Sequence, residues 1–143
     1  FTLADYGTFP IWHKEADMGI MDLRTGEWCL MEGLNSTDVD SYHSWSSNSR
    51  WIVFSSRRGD GLYTRLYIAS VDENGNTGKP FLLPQKYPAT YYPQTLYSFN
   101  IPEFITSPVD VDMRKIEKKT ARKTNMQWGG LKDNGAFNVP SGI

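Results

Sequence analysis

The chain has 143 residues, of which 39% are apolar and 14% aromatic, which is enough to bury the core of one ordinary domain. Its formal net charge of −1 gives no general reason to expect nucleic acid or an anionic membrane as a partner, and we expect no nucleic-acid binding. It contains no apolar run long enough for a transmembrane segment, and we predict none. The single cysteine excludes an intramolecular disulfide and a four-cysteine zinc site.

The first 34 residues are predicted to form three strands, at 8–12, 18–23 and 28–31. Pro10 cannot donate a hydrogen bond to a neighbouring strand, so the first of them should be an edge or bulged strand. Cys29 lies in an apolar stretch, and we expect a buried thiol that acts as a small hydrophobic residue. The chain begins at Phe1 without an initiator methionine, and we expect it to be part of something longer.

Residues 42–84 predict four short antiparallel strands, at 43–46, 51–56, 65–71 and 79–83. The run from 51 to 56 is continuously apolar and strongly β-prone, which is typical of a strand packed on both faces. Asn and Ser residues at 47–50 predict a tight turn, and the Asn-Gly pair within 72–76 predicts a hairpin. Four antiparallel strands in about 43 residues match the size of one propeller blade.

The upstream strands repeat the last three of these elements. Ile11 corresponds to Val53 at an offset of 42, and Ile20 corresponds to Ile68 at an offset of 48, because the second copy has a longer loop. We therefore predict an all-β fold, a partial β-propeller of about two four-stranded antiparallel blades with an extended or partly helical C-terminal tail. The predicted divisions are a partial blade at 1–34, a complete blade at 35–88, and a Tyr/Pro-rich segment with a basic tail at 89–143.

The stretch WSSNSRWIVFSSRRGDGLYTRLYI resembles the repeat of TolB-like propellers, with the pattern W-S-x-D/N-G/S-K/R-x-I-A-F-x-S-x-R-x-G before a strand of the type L-Y-x-x-D. Ser49 stands where that family usually has glycine. The resemblance implies an extracytoplasmic bacterial protein, periplasmic or in the cell envelope, that binds another protein through a propeller face. It implies scaffold roles for eight residues of the blade: Trp45, Ser46, Asn48, Arg50, Trp51, Phe54, Arg57 and Tyr67.

Residues 87–108 are rich in Tyr and Pro, and we predict an ordered extended segment that lies on a surface. Such a segment either seals a propeller face or contacts a partner. The residues that we consider for partner contact are Tyr91, Tyr92, Tyr97 and Phe99.

Charge differs between the body and the tail: residues 1–109 carry a net −4 and residues 110–143 a net +3. We predict a short basic helix over 113–124 and a flexible end. An acidic lipid surface or nucleic acid could use such a patch, but a solvated tail is favoured because a second basic element is missing. Six cations fall within ten residues: Arg114, Lys115, Lys118, Lys119, Arg122 and Lys123.

No catalytic or metal site is predicted. The chain has no G-x-S-x-G motif, and its two histidines, His13 and His43, have no nucleophile beside them in sequence. The histidines could join Asp38 or Asp40 around a metal, but His43 is better explained as a polar member of an inner strand. A calcium loop starting at Asp72 lacks the required glycine and bidentate glutamate, and the Arg58-Gly59-Asp60 tripeptide consists of ordinary loop residues.

Two main functions therefore remain open, neither with a cofactor. The first is a non-catalytic binding or scaffold module that docks proteins or small ligands on a propeller face. The alternative is the propeller part of a larger peptidase or glycan-processing enzyme, whose catalytic residues lie outside this chain. Fewer than two blades also leave open faces and edges, so we expect a protein partner or self-association through them.

Overall fold

The computed structural model describes residues 1–108 and 110–121. The chain divides into two compact units, Phe1–Pro108 and Val109–Ile143. The first unit is mostly β, with two antiparallel sheets, one of three strands and one of four. Its strands are β1 (Thr2–Leu3), β2 (Asp17–Met21), β3 (Trp28–Leu30), β4 (Asp40–Trp45), β5 (Trp51–Ser56), β6 (Arg65–Ser70) and β7 (Phe81–Leu82), and its short helix is α1 (Pro88–Gln94).

Sheet one has the strand order β1-β2-β3, with Thr2 opposite Met18 and Ile20 opposite Cys29. The predicted strand at 8–12 is wrong, because Pro10–Trp12 forms a 3-10 turn instead. Proline is suited to the first turn of a helix, since its φ is already helical and it has no N–H to leave unpaired. The strand that pairs with β2 on the side opposite β3 is therefore the two-residue β1, in place of the predicted strand at 8–12.

Sheet two has the order β4-β5-β6-β7, and the four predicted strands are confirmed. The central strand β5 is buried from Ile52 to Ser56, which confirms the prediction of a strand packed on both faces. β4 begins at Asp40, earlier than predicted, and shifts register between Ser41 and Ser44. Tyr42, inside this bulge, has a positive φ of 47°.

Side chains close the turn from β4 to β5. The Ser46 hydroxyl accepts a hydrogen bond from the Trp51 N–H at 3.0 Å, and Asn48 Oδ1 accepts one from the Arg50 N–H at 3.1 Å. Ser49 has a φ of +56°, in the left-handed region that glycine adopts most easily. The serine therefore keeps the backbone conformation that glycine favours at this position.

The two sheets pack around a shared core. Ile52 and Phe54 alternate on the β5 face that meets Met18 of sheet one, whereas Val53, between them, lies on the opposite face. Burial of this apolar surface is the main force that holds the sheets together. The buried members of the core are Met18, Met31, Leu34, Ile52, Phe54, Ala69 and Val71.

The second unit contains one described helix, α2 (Met113–Thr120). The Asp112 side chain caps it by accepting a hydrogen bond from the Arg114 N–H at 3.0 Å. The helix begins where the sequence predicts and ends at Thr120, with Ala121 as its C-cap. Residues 122–124 of the predicted helix and the predicted flexible end lie outside the described residues. In the described part of the chain, no helix is both long and apolar enough to cross a bilayer.

Candidate functional site

Exposed apolar side chains on sheet one form a candidate surface of the first unit. Met18 and Ile20 of β2 contact the core, and Met21 and its cross-strand neighbour Trp28 lie at the margin of that core, where they line an open pocket with Ile20. Trp28 is 55% exposed and Leu30 is 41% exposed. We call this surface the outer face, and its residues are Phe1, Leu3, Met21, Trp28 and Leu30.

Phe1 and Gly19 organise the centre of the outer face. The Phe1 ring packs edge-on against Trp28, with ring centroids 5.8 Å apart. It also lies directly over Gly19, where a Cβ atom would come within 2.6 Å of Phe1 Cζ. A glycine at this position therefore lets an aromatic ring lie on the sheet beside Trp28.

The far side of sheet two is covered in part by the Tyr/Pro-rich segment. The Ser55 hydroxyl donates to the carbonyls of Phe99, at 3.1 Å, and Asn100, at 2.8 Å. The Phe99 N–H donates to the Thr64 carbonyl at 3.0 Å. The segment is not fully extended as predicted: Pro88–Gln94 forms a short helix, α1, with Pro88 in its first turn, where proline is favoured.

In this covering segment, three of the four aromatic residues considered for partner contact lie close together. Tyr91, Tyr92 and Phe99 are half-buried and line a small cavity with Leu66 and Leu83. Tyr97 remains 60% exposed, which makes it the member of the four most accessible to another molecule. Partner contact by these residues stays a prediction.

Arg65, which sequence reasoning did not single out, anchors the segment. Its guanidinium donates to the carbonyls of Tyr97, at 2.8 Å, Thr95, at 2.8 Å, and Tyr92, at 3.3 Å. It also lies 5.8 Å from the Tyr92 ring centroid. One buried cation therefore holds three carbonyls of a segment that has little regular structure of its own.

We expect Arg65→Met to release this segment from sheet two. The substitution keeps an apolar stem but removes the three hydrogen bonds, at a cost of about 2 kcal/mol. Hydrogen–deuterium exchange should become faster at residues 95–100 and stay unchanged in β5. Arg24→Met, at an exposed site, is the matched control. Equal exchange in the Arg65 and Arg24 variants would contradict the anchoring role.

A second arginine missed by sequence reasoning, Arg58, forms the most buried ion pair among the described residues. Its Nη2 donates to Asp40 Oδ1 at 2.5 Å, and Asp40 has no exposed surface. The guanidinium lies 5.1 Å from the ring centroid of Phe54 and 4.9 Å from that of Tyr67. By contrast Arg57, to which the family resemblance assigns a scaffold role, lies 3.5 Å from Asp38 and makes no hydrogen bond through Nε.

The other residues to which the resemblance assigns scaffold roles lie in or beside sheet two. Trp45 and Trp51 are each 38% exposed, at the ends of neighbouring strands, and Tyr67 stacks on the fully buried Phe54 with ring centroids 6.0 Å apart. Arg50 forms an ion pair with Glu73.

The histidines and aspartates that were considered as metal ligands or catalytic groups have other partners or surroundings in the structure. His13 pairs with Glu15 at 3.1 Å, and the Asp40 carboxylate is engaged by Arg58. His43 is half-buried in β4, and burial lowers its pKa below the usual value. Over residues 1–108 and 110–121, no three His, Cys, Asp or Glu side chains are placed to share a metal ion.

The prediction of a buried Cys29 is wrong. The thiol is exposed, because β3 is a three-residue strand at the edge of sheet one. An edge strand has a neighbour on one side only, so side chains that would be covered in a central strand remain accessible.

Comparisons with known protein families, curated proteins and solved structures found no significant match. The fold and the described surfaces define a mostly β protein with two packed antiparallel sheets and one open apolar face.

Proposed function

We propose that this chain is a non-catalytic binding or scaffold module, formed by part of a TolB-like β-propeller of the bacterial envelope. The W-S-x-N-S-R repeat pattern supports this assignment, since it coincides with the turn and strand that begin sheet two. The four-stranded antiparallel order of sheet two is that of a propeller blade. The core that it shares with sheet one is consistent with packing between neighbouring blades.

The observation that carries the proposal is the outer face of sheet one. Soluble monomers rarely expose a contiguous apolar patch of this kind, and such patches mark contacts with other protein surfaces. In a propeller, each blade covers the face of its neighbour. The outer face therefore docks a second β-sheet, which in solutions of this chain alone belongs to another copy.

The edges of sheet one support the same interpretation. β1 and β3 each pair with β2 only, which leaves one side of each strand without a partner in the sheet. Short strands limit uncontrolled edge pairing, so association through the face is favoured over association through the edges.

The test is the solution mass, measured by light scattering coupled to gel filtration over a range of concentrations. We expect the 16.3 kDa chain to associate as concentration rises. Leu30→Gln places a polar amide on the outer face and should weaken association about tenfold, since burial of a leucine contributes about 1.5–3 kcal/mol.

Leu62→Gln is the control, because Leu62 is 75% exposed in the loop between β5 and β6. It should associate like the unmodified protein. A monomer at every concentration, or equal weakening by both variants, would contradict the proposed docking face.

A further inference from the structure

An open groove of about 910 Å³ lies where the β2–β3 hairpin meets the turn that follows β6. Its volume is in the range of ligand-binding clefts. Apolar side chains of both sheets form its walls and carboxylates lie among them. The residues that line it include Ile20, Trp45, Val71, Glu27, Asp72 and Glu73.

The charged side chains that line the groove are negative, and two of them are paired with arginines outside the lining, Asp22 with Arg24 and Glu73 with Arg50. Four carboxylate side chains line it, those of Asp22, Glu27, Asp72 and Glu73, and no described lysine, arginine or histidine does. A hydrogen bond from the Arg24 guanidinium lowers the pKa of Asp22 to about 2, and one from the Asn76 side chain lowers the pKa of Asp72. These two groups are therefore ionised at neutral pH.

Two partly exposed tryptophans also line the groove, Trp28 from β3 and Trp45 from β4. The face of an indole ring attracts a cation, and the attraction strengthens as water is removed. Apolar contact from Ile20 and Val71 suits the aliphatic stem of a lysine or arginine. The lining therefore complements a group that is positively charged at its tip and apolar along its length.

We propose that this groove binds lysine or arginine side chains on an extended segment of a partner protein. The volume exceeds that of one side chain, and two lining residues, Trp28 and Cys29, belong to the edge strand β3. An extended peptide can pair with the free side of an edge strand while alternate side chains enter an adjacent pocket. The inference goes beyond the proposed function, because it concerns the hairpin end of the sheets and a different contact chemistry.

The test uses a short capped peptide of alternating lysine and glycine, and the same peptide with glutamate in place of lysine. Binding is measured by calorimetry and by tryptophan fluorescence. We expect the lysine peptide to bind, with affinity that falls as salt rises, and the glutamate peptide not to bind. Glu27→Gln and Trp45→Leu, which change lining residues outside the outer face, should each weaken binding about two- to fivefold.

The matched controls are Glu32→Gln and Trp12→Leu, which change exposed residues outside the groove and should leave binding unchanged. The series is run in the Leu30→Gln background, so that failure of peptide binding and failure of outer-face association can be told apart. Equal binding of both peptides, or equal weakening by lining and control variants, overturns the proposal. Binding of tetramethylammonium alone would also overturn the proposal, because it would show that the groove is a site for small cations and not for a peptide.

Discussion

Asp40→Asn is expected to destabilise the folded protein by about 3–5 kcal/mol, because it leaves the Arg58 guanidinium without its buried counter-charge. The Asp40 carboxylate also accepts hydrogen bonds from the Ser36 N–H, at 2.6 Å, and the Ser36 hydroxyl, at 2.8 Å. Loss of the charge therefore weakens the link between the loop before β4 and the loop after β5. Urea unfolding followed by circular dichroism measures the free energy of unfolding.

A double-mutant cycle separates the ion pair from its surroundings. Arg58→Met should also be strongly destabilising, and the double variant should lose less than the sum of the single losses. Asp38→Asn is the matched control, because the Asp38 carboxylate lies 3.5 Å from Arg57 and accepts a hydrogen bond from the adjacent Val39 N–H but none from Ser36, and we expect a loss of about 1 kcal/mol. Similar losses for Asp40→Asn and Asp38→Asn would show that the buried pair has no special role.

Phe54→Ala is expected to cost about 3–5 kcal/mol, since it opens a cavity at the centre of the core between the sheets. Phe54 is fully buried and stacks on Tyr67, with ring centroids 6.0 Å apart. The substitution also removes one of the two rings against which Arg58 packs.

The control for Phe54 is Phe81→Ala in β7, at a site that is 45% exposed. We expect it to cost less than about 1.5 kcal/mol, because less apolar surface is lost from the interior. Chemical denaturation of both variants gives the comparison. A Phe54 variant no less stable than the Phe81 variant would argue against a shared core between the two sheets.

Sheet two could be predicted from the sequence because its signals are local. The β-prone run at 51–56 and the turn residues on either side define strand positions without reference to the rest of the chain. The turn that begins at Asp72 was predictable for the same reason, because its interactions are local. Gly75 adopts a φ of +84°, and Asp72 accepts hydrogen bonds from two backbone N–H groups of the turn.

Sheet one was harder to predict, because its pairing depends on tertiary contacts. β1 has two residues, too few for a periodic pattern, and its position next to β2 is established by ladder bonds that include those between Phe1 and Gly19. The apolar residues at 8–12 gave a strand-like pattern. The fixed φ of Pro10 and the packing of Ile11 with Ala16 and Val39 favoured a 3-10 turn instead.

The candidate surfaces also depend partly on local patterns, which can be predicted, and partly on tertiary contacts, which cannot. Alternation along β2 and β3 indicates which residues share a face, but it does not indicate which face is covered. Arg58 and Arg65 could not be recognised, because their partners are remote in sequence: Asp40 is 18 residues from Arg58, and the carbonyl of Tyr97 is 32 from Arg65. Their roles depend on how distant segments meet.

Hydroxyl-radical footprinting over a range of protein concentrations tests the docking role of the outer face most directly, since it reports the exposure of individual side chains. Met21 and Trp28 are reactive residues on that face, and Trp12, 76% exposed and away from it, is the internal reference. We expect oxidation of Met21 and Trp28 to fall several-fold, relative to Trp12, as concentration rises. Oxidation of all three residues that is independent of concentration would contradict the account.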